Sequence, residues 1–168
     1  KTGKRGAMIS AVDLLKGIAV GTHMDNIIVE GANGGLHTNY TGKMEAAKKA
    51  LLEDGYDFVY IHVEAPDEMG HQGLVNEKIE AIEKIDHLIV GPLADALNES
   101  GEDYRMLVLP DHPTPICVRT HTTGTIPYLL YDSTKKMGEN ATYNEAVAKA
   151  SGNVKANGYK LMDYLLNA

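Results

Sequence analysis

The chain contains no tryptophan, one phenylalanine and one cysteine in 168 residues. A lone thiol, Cys117, cannot close an internal disulfide, which excludes a cystine-stapled scaffold and sets the expectation of a reducing compartment. No apolar run approaches the roughly 20 residues that a membrane helix requires, and no basic, apolar and small-residue leader opens the sequence. The expectation is a cytoplasmic protein with no membrane partner. Basic residues are scarce too: 16 Lys and Arg against 23 Asp and Glu leave a formal charge of −7, and the only basic cluster is Lys1, Lys4 and Arg5. Nucleic acid is therefore not an expected partner. An anionic substrate would have to be met by a few local Arg and Lys side chains or by bound cations. No Gly-x-Ser-x-Gly elbow occurs, and the "GANGG" run at 31–35 lacks the spacing and the lysine of a phosphate-binding loop, so it reads as a turn.

What is present describes a globular protein. Hydrophobic residues make up 43% and charged residues 23%, and a chain of this length buries roughly 70% of its unfolded surface. Ser10 precedes a helical pattern with Val12, Leu15, Ile18 and Ala19 on one face, and Gly21 stands where that helix should stop. A strand is expected at 27–30, a helix capped by Thr41, and a strand at 57–63. One long helix over 74–97 follows, with Val75, Ile79, Ile82, Ile89 and Leu93 on one stripe and a kink at Gly91–Pro92. Strands at 106–109 and 126–131 and a surface helix at 157–166 complete the pattern. Alternating strands and helices predict an α/β fold with a mostly parallel sheet and helices on both faces. Residues 1–168 read as a single unit.

In such sheets, ligands gather beyond the carboxyl ends of the strands. Asp67 and His71, in "APDEMGHQG", follow one expected strand; Asp111 and His112, in "DHPTP", follow another. His121 lies in the loop leading to a third. Exposed ion pairs contribute only about 0–1 kcal/mol, so stability alone is a poor reason to gather these groups. Imidazoles and carboxylates together form a mixed N/O donor set that suits Mn²⁺ or Zn²⁺ better than Ca²⁺. Arg119 and Lys43 are the candidates for meeting a phosphate or carboxylate. His62 reads as a packed mid-strand histidine. Thr114 and Thr120 are expected to hydrogen-bond within their own loops.

The strings "ISAVDLLKGIAVG", "TNYTGKMEAA", "VYIHVEAPDEMGHQG", "VLPDHPTP" and "RTHTTGTIPYLLY" resemble the C-terminal part of the archaeal-type cofactor-independent phosphoglycerate mutases, in the alkaline phosphatase superfamily. The resemblance implies a three-layer, alkaline-phosphatase-like fold and two divalent cations, Mn²⁺ foremost, with Zn²⁺, Mg²⁺ or Co²⁺ as alternatives. It assigns Asp67, His71 and His121 to one cation and Asp111 and His112 to the other. It implies phosphoryl transfer between 3-phosphoglycerate and 2-phosphoglycerate through a phosphoserine, with a small phosphorylated acid as partner. Other readings remain: a related phosphotransferase with an acceptor such as homoserine, or a metal-binding module that performs no reaction.

The family pattern also includes an upstream strand ending in a metal-binding Asp, the nucleophilic Ser and an inserted substrate-binding domain, none of which is found here. No catalytic nucleophile is expected within these residues. The first residue is Lys1 rather than Met, so the expectation is a processed chain or a piece of a longer protein. Its partner would then be the N-terminal part of the same polypeptide, and the chain alone should be inactive.

Overall fold

A computed structural model describes residues 3–135 and 142–167. The chain divides into two compact units: Lys1–Gly101 with Thr114–Thr120, and Glu102–Pro113 with His121–Ala168.

The first unit is built on a three-stranded parallel sheet in the order β2-β1-β3, with β1 at Gly6–Ile9, β2 at Asp25–Asn26 and β3 at Phe58–Ile61. The central strand β1 was not expected. Four residues that include Gly6 and Ala7 carry little β-propensity, yet all four are buried, and Ile9 is only 1% exposed. β2 lies two residues before the expected strand, because the register sets Ala7 opposite Asp25 and Met8 opposite Asn26. One further bond, Ile27 N to Met8 O at 2.9 Å, ends the pairing, and Ile28 is exposed.

Helix α1 (Asp13–Gly21) packs on β1 and β2. Ser10 supports its approach through a turn, its Oγ accepting from Val12 N at 3.0 Å, rather than by capping the helix directly. Helix α2 (Tyr40–Leu52) packs on β1 and β3. Its cap is Asn39, not Thr41: Asn39 has non-helical backbone angles, and its Oδ1 accepts from Gly42 N at 2.8 Å. After β3 come α3 (Ala65–Gln72) and α4 (Val75–Ile85), a π-helical turn at Asp86–Val90, and α5 (Gly91–Ser100).

The expected long helix is therefore interrupted. Pro92 has no N–H to give to the preceding turn, and Gly91 N bonds back to Asp86 O, five residues away. An extra residue in a turn rotates the following helix by about 100°. The expected single stripe accordingly splits: Val75, Ile79 and Ile82 are 50–52% exposed, whereas Ile89 and Leu93 are buried among the helices around α2.

The second unit holds an antiparallel pair, β4 (Arg105–Val108) with β5 (Leu129–Asp132), and helices α6 (Glu145–Ala150) and α7 (Leu161–Asn167). β5 starts later than expected, consistent with Pro127 lacking a ladder donor. α7 begins after a 3₁₀ turn at Gly158–Lys160 and packs on β4 with Leu161 buried, so it is not wholly a surface helix. α6 was not expected. Asp132, 5% exposed, organises the unit: its Oδ2 accepts from Arg105 Nε at 2.9 Å and faces Lys135 Nζ at 3.0 Å, and its Oδ1 accepts from Thr134 Oγ1 at 2.6 Å. The Thr134 hydroxyl, followed by Arg105 and Lys135, holds the Asp132 carboxyl far below its ordinary range.

Among the described residues, no helix is long and apolar enough to cross a membrane.

Candidate metal centre

The carboxyl end of β3 is fixed before the chain turns. His62, which stands just beyond the strand rather than within it, donates its N–H to Ile9 O at 2.9 Å, and its carbonyl accepts from Lys43 Nζ at 2.8 Å. Lys43 is 1% exposed. Its ammonium serves this strand end, and burial lowers its pKa, with the charge of Glu64 opposing. Burial raises the carboxyl pKa of Glu64, and the Glu68 and Asp67 charges raise it further. Three carboxylates in five residues beside one buried ammonium give this strand end a negative balance that favours cations.

Glu64 leads into α3, with Pro66 in its first turn, where proline costs no helical bond. Asp67 and Glu68 occupy that first turn, where the helix dipole favours negative charge, and His71 lies four residues on, over the same face. His71 Nε2 stands 3.3 Å from Asp67 Oδ2. The other carboxylate oxygen, Oδ1, accepts from the Thr114 hydroxyl. The other ring nitrogen, Nδ1, lies 3.1 Å from Arg119 O. A carbonyl can only accept, so this bond puts the proton on Nδ1 and leaves Nε2, in the neutral ring, with a lone pair toward the carboxylate. Two electron-rich atoms at that separation are stabilised by a proton or a cation between them. A metal-ligating histidine with its outer nitrogen bonded to a carbonyl is the arrangement that orients such ligands, so the pair fits a divalent cation.

The second unit carries its own cluster. Asp111 Oδ1 accepts from His112 N at 3.0 Å, and Asp111 Oδ2 stands 3.4 Å from His112 Nε2. The His121 ring lies against the His112 ring, centroids 3.7 Å apart. The structure thus pairs Asp67 with His71 in one unit and gathers Asp111, His112 and His121 in the other.

Sequence reasoning missed the part played by Thr114. It was expected to bond within its own loop, but its hydroxyl reaches Asp67, 47 positions away. Arg119 occupies the left-handed region with φ 57°, and its guanidinium packs so close over Gly73 that a Cβ there would meet Nε at 2.5 Å. That places its charge at the carboxyl end of α3. Cys117 is exposed and free.

A probable 2,3-bisphosphoglycerate-independent phosphoglycerate mutase from Geobacter sulfurreducens is 45% identical over 99% of this chain and 41% of its own length. The 2,3-bisphosphoglycerate-independent phosphoglycerate mutase of Methanosarcina mazei is 50% identical over 92% of this chain and 39% of its own. The chain thus spans about two-fifths of the length of these curated relatives. A solved structure of a protein from Pyrococcus horikoshii superposes with a TM-score of 0.83 at 27% identity, covering 99% of this chain and 49% of that one. The expected α/β class and family resemblance are both borne out. With residues 1–159 matching the family described as the metalloenzyme superfamily, the chain belongs to that superfamily.

Proposed function

We propose that this chain is the metal-bearing C-terminal part of a cofactor-independent phosphoglycerate mutase catalytic domain of the three-layer, alkaline-phosphatase-like kind. The observation that carries the reading is the Asp67–His71 pair, set in one orientation at the end of a parallel strand. The names of the relatives in Geobacter sulfurreducens and Methanosarcina mazei supply the reaction. By the family resemblance, Asp67, His71 and His121 would hold one divalent cation, and Asp111 and His112 would contribute to a second. When bound, two such cations neutralise charge on a transferring phosphoryl group. Mn²⁺ is the first choice for both, given the mixed imidazole and carboxylate donors.

The residues of this chain hold and orient. Lys43 and His62 fix the strand end, and Arg119 offers a cation to the anionic groups of a small phosphorylated acid. The phosphoserine nucleophile lies in the part of the polypeptide that the relatives have beyond this span. The setting is cytoplasmic glycolysis. The test is to follow 3-phosphoglycerate by ³¹P NMR with the whole polypeptide and Mn²⁺. The expected result is 2-phosphoglycerate, suppressed by a chelator and absent when residues 1–168 are supplied alone. Failure of the whole polypeptide with Mn²⁺, or turnover by these residues alone, would overturn the reading.

A further inference from the structure

The segment from Thr114 to Arg119 contains none of the five candidate ligands, yet it touches both members of the Asp67–His71 pair. Thr114 is 5% exposed and gives its hydroxyl to Asp67 Oδ1. Its own carbonyl accepts from Lys78 Nζ at 2.7 Å, which ties the segment to α4. At the other end, Arg119 N donates to Pro115 O at 2.9 Å, and the left-handed backbone of Arg119 turns its carbonyl onto His71 Nδ1. Gly70 makes room: a Cβ there would meet Thr114 O at 2.7 Å.

We propose that Thr114 is a positioning residue for metal binding, and that the turn it begins is a clamp on both Asp67 and His71. The inference rests on the reading of that pair as metal ligands and adds what holds them. A carboxylate on a free side chain rotates among several orientations. One oxygen bonded to a buried hydroxyl leaves the other facing Nε2. The Arg119 carbonyl does the same for the imidazole by selecting the Nδ1–H tautomer. Ligands held this way lose little freedom when a cation arrives, and loss of such an outer partner typically lowers metal affinity by about 10–100-fold.

The test uses the intact protein. Mn²⁺ affinity is measured calorimetrically for the unsubstituted protein, Thr114→Val and Thr114→Ser. The Val variant keeps the shape and removes the hydroxyl, and is expected to bind at least about tenfold more weakly; the Ser variant restores the hydroxyl and should bind within about threefold of the original. A purely structural role for Thr114 predicts no such rescue pattern at equal melting temperature. Equal affinity for Val and the original would overturn the proposal. A second readout needs no metal and no variant: ring ¹⁵N shifts of neutral His71 should report the Nδ1–H tautomer, and the Nε2–H tautomer would overturn the clamp. Absence of Mn²⁺ binding in the unsubstituted protein would refute the metal reading itself, while the tautomer measurement would still decide the clamp.

Discussion

Asp67 and His71 share a helix face and are each bonded again from a distant turn, whereas Asp111 and His112 are chain neighbours in a loop after β4. The residue types are the same in both units. In the first pair the carboxylate is about one-quarter exposed; Asp111 is 61% exposed. The bonds described for Asp111 run to the residue beside it. The difference teaches that a strand-end Asp and His become a rigid donor pair only when separate elements converge on them, as β3, α3 and the 114–119 turn do in the first unit.

The largest effect should separate the two pairs directly. In the intact protein, His71→Ala should lower Mn²⁺ affinity at its site by at least the roughly 10–100-fold that loss of an outer partner costs. His112→Ala should have a much smaller effect on that same site, and equal losses would erase the distinction. Calorimetric titration measures both.

Next is the contrast between cations. Lys43→Met removes the ammonium donor to His62 O at a part-buried strand end, and loss of a hydrogen bond from a charged group costs about 1.5–3 kcal/mol. Lys135→Met removes an ammonium that is 61% exposed and should stay within about 0.5 kcal/mol. Urea midpoints report both, and similar shifts would contradict the picture.

A pair of glycines sharpens the packing difference. Gly70→Ala drives a methyl against Thr114 O, and overpacking of about 1–3 kcal/mol outweighs a helix-propensity gain of up to about 1 kcal/mol. A net loss near 1 kcal/mol should lower the melting temperature by roughly 2–4 °C. At Gly124 the nearest atom to an added Cβ is Pro113 Cγ at 3.9 Å, ordinary contact, so Gly124→Ala should leave melting unchanged.

The smallest effect is in pH. The Asp132 carboxyl pKa is depressed in the folded second unit, so its contribution is fully present above the unfolded value of about 3.9 and lost as pH falls below it. Asp132→Asn should flatten the acid limb of stability, and an unchanged limb would remove Asp132 as its source.

The juxtaposition of Asp67 and His71 was the most legible part of the sequence. Aspartate and histidine beyond strand ends can be read one motif at a time, because the residue types and the helix spacing of Asp67 and His71 are local properties. β1 was not legible, since its burial comes from neighbours on both sides rather than from strong β-formers in "GAMI". The break before α5 was foreseen as a kink at Gly91–Pro92, but the change of face it produces depends on where the extra residue is absorbed. Thr114 and Arg119 were read as a loop residue and a substrate cation. Their bonds to Asp67 and His71 cross 47 and 48 positions, and nothing in the local sequence specifies such partners.

The register of the parallel sheet also bears on how the chain reaches its fold. Ala7 pairs with Asp25 and with Val59, so β1 must close two loops of very different length. With 18 positions between the first partners and 52 between the second, the longer closure costs about 1 kcal/mol more in chain entropy. β1 and β2 can therefore meet around α1 while β3 is still searching, and the non-local step that docks β3 is expected to set the pace. A shorter connection between β2 and β3 would speed folding and leave the native contacts of β1 with β3 in place.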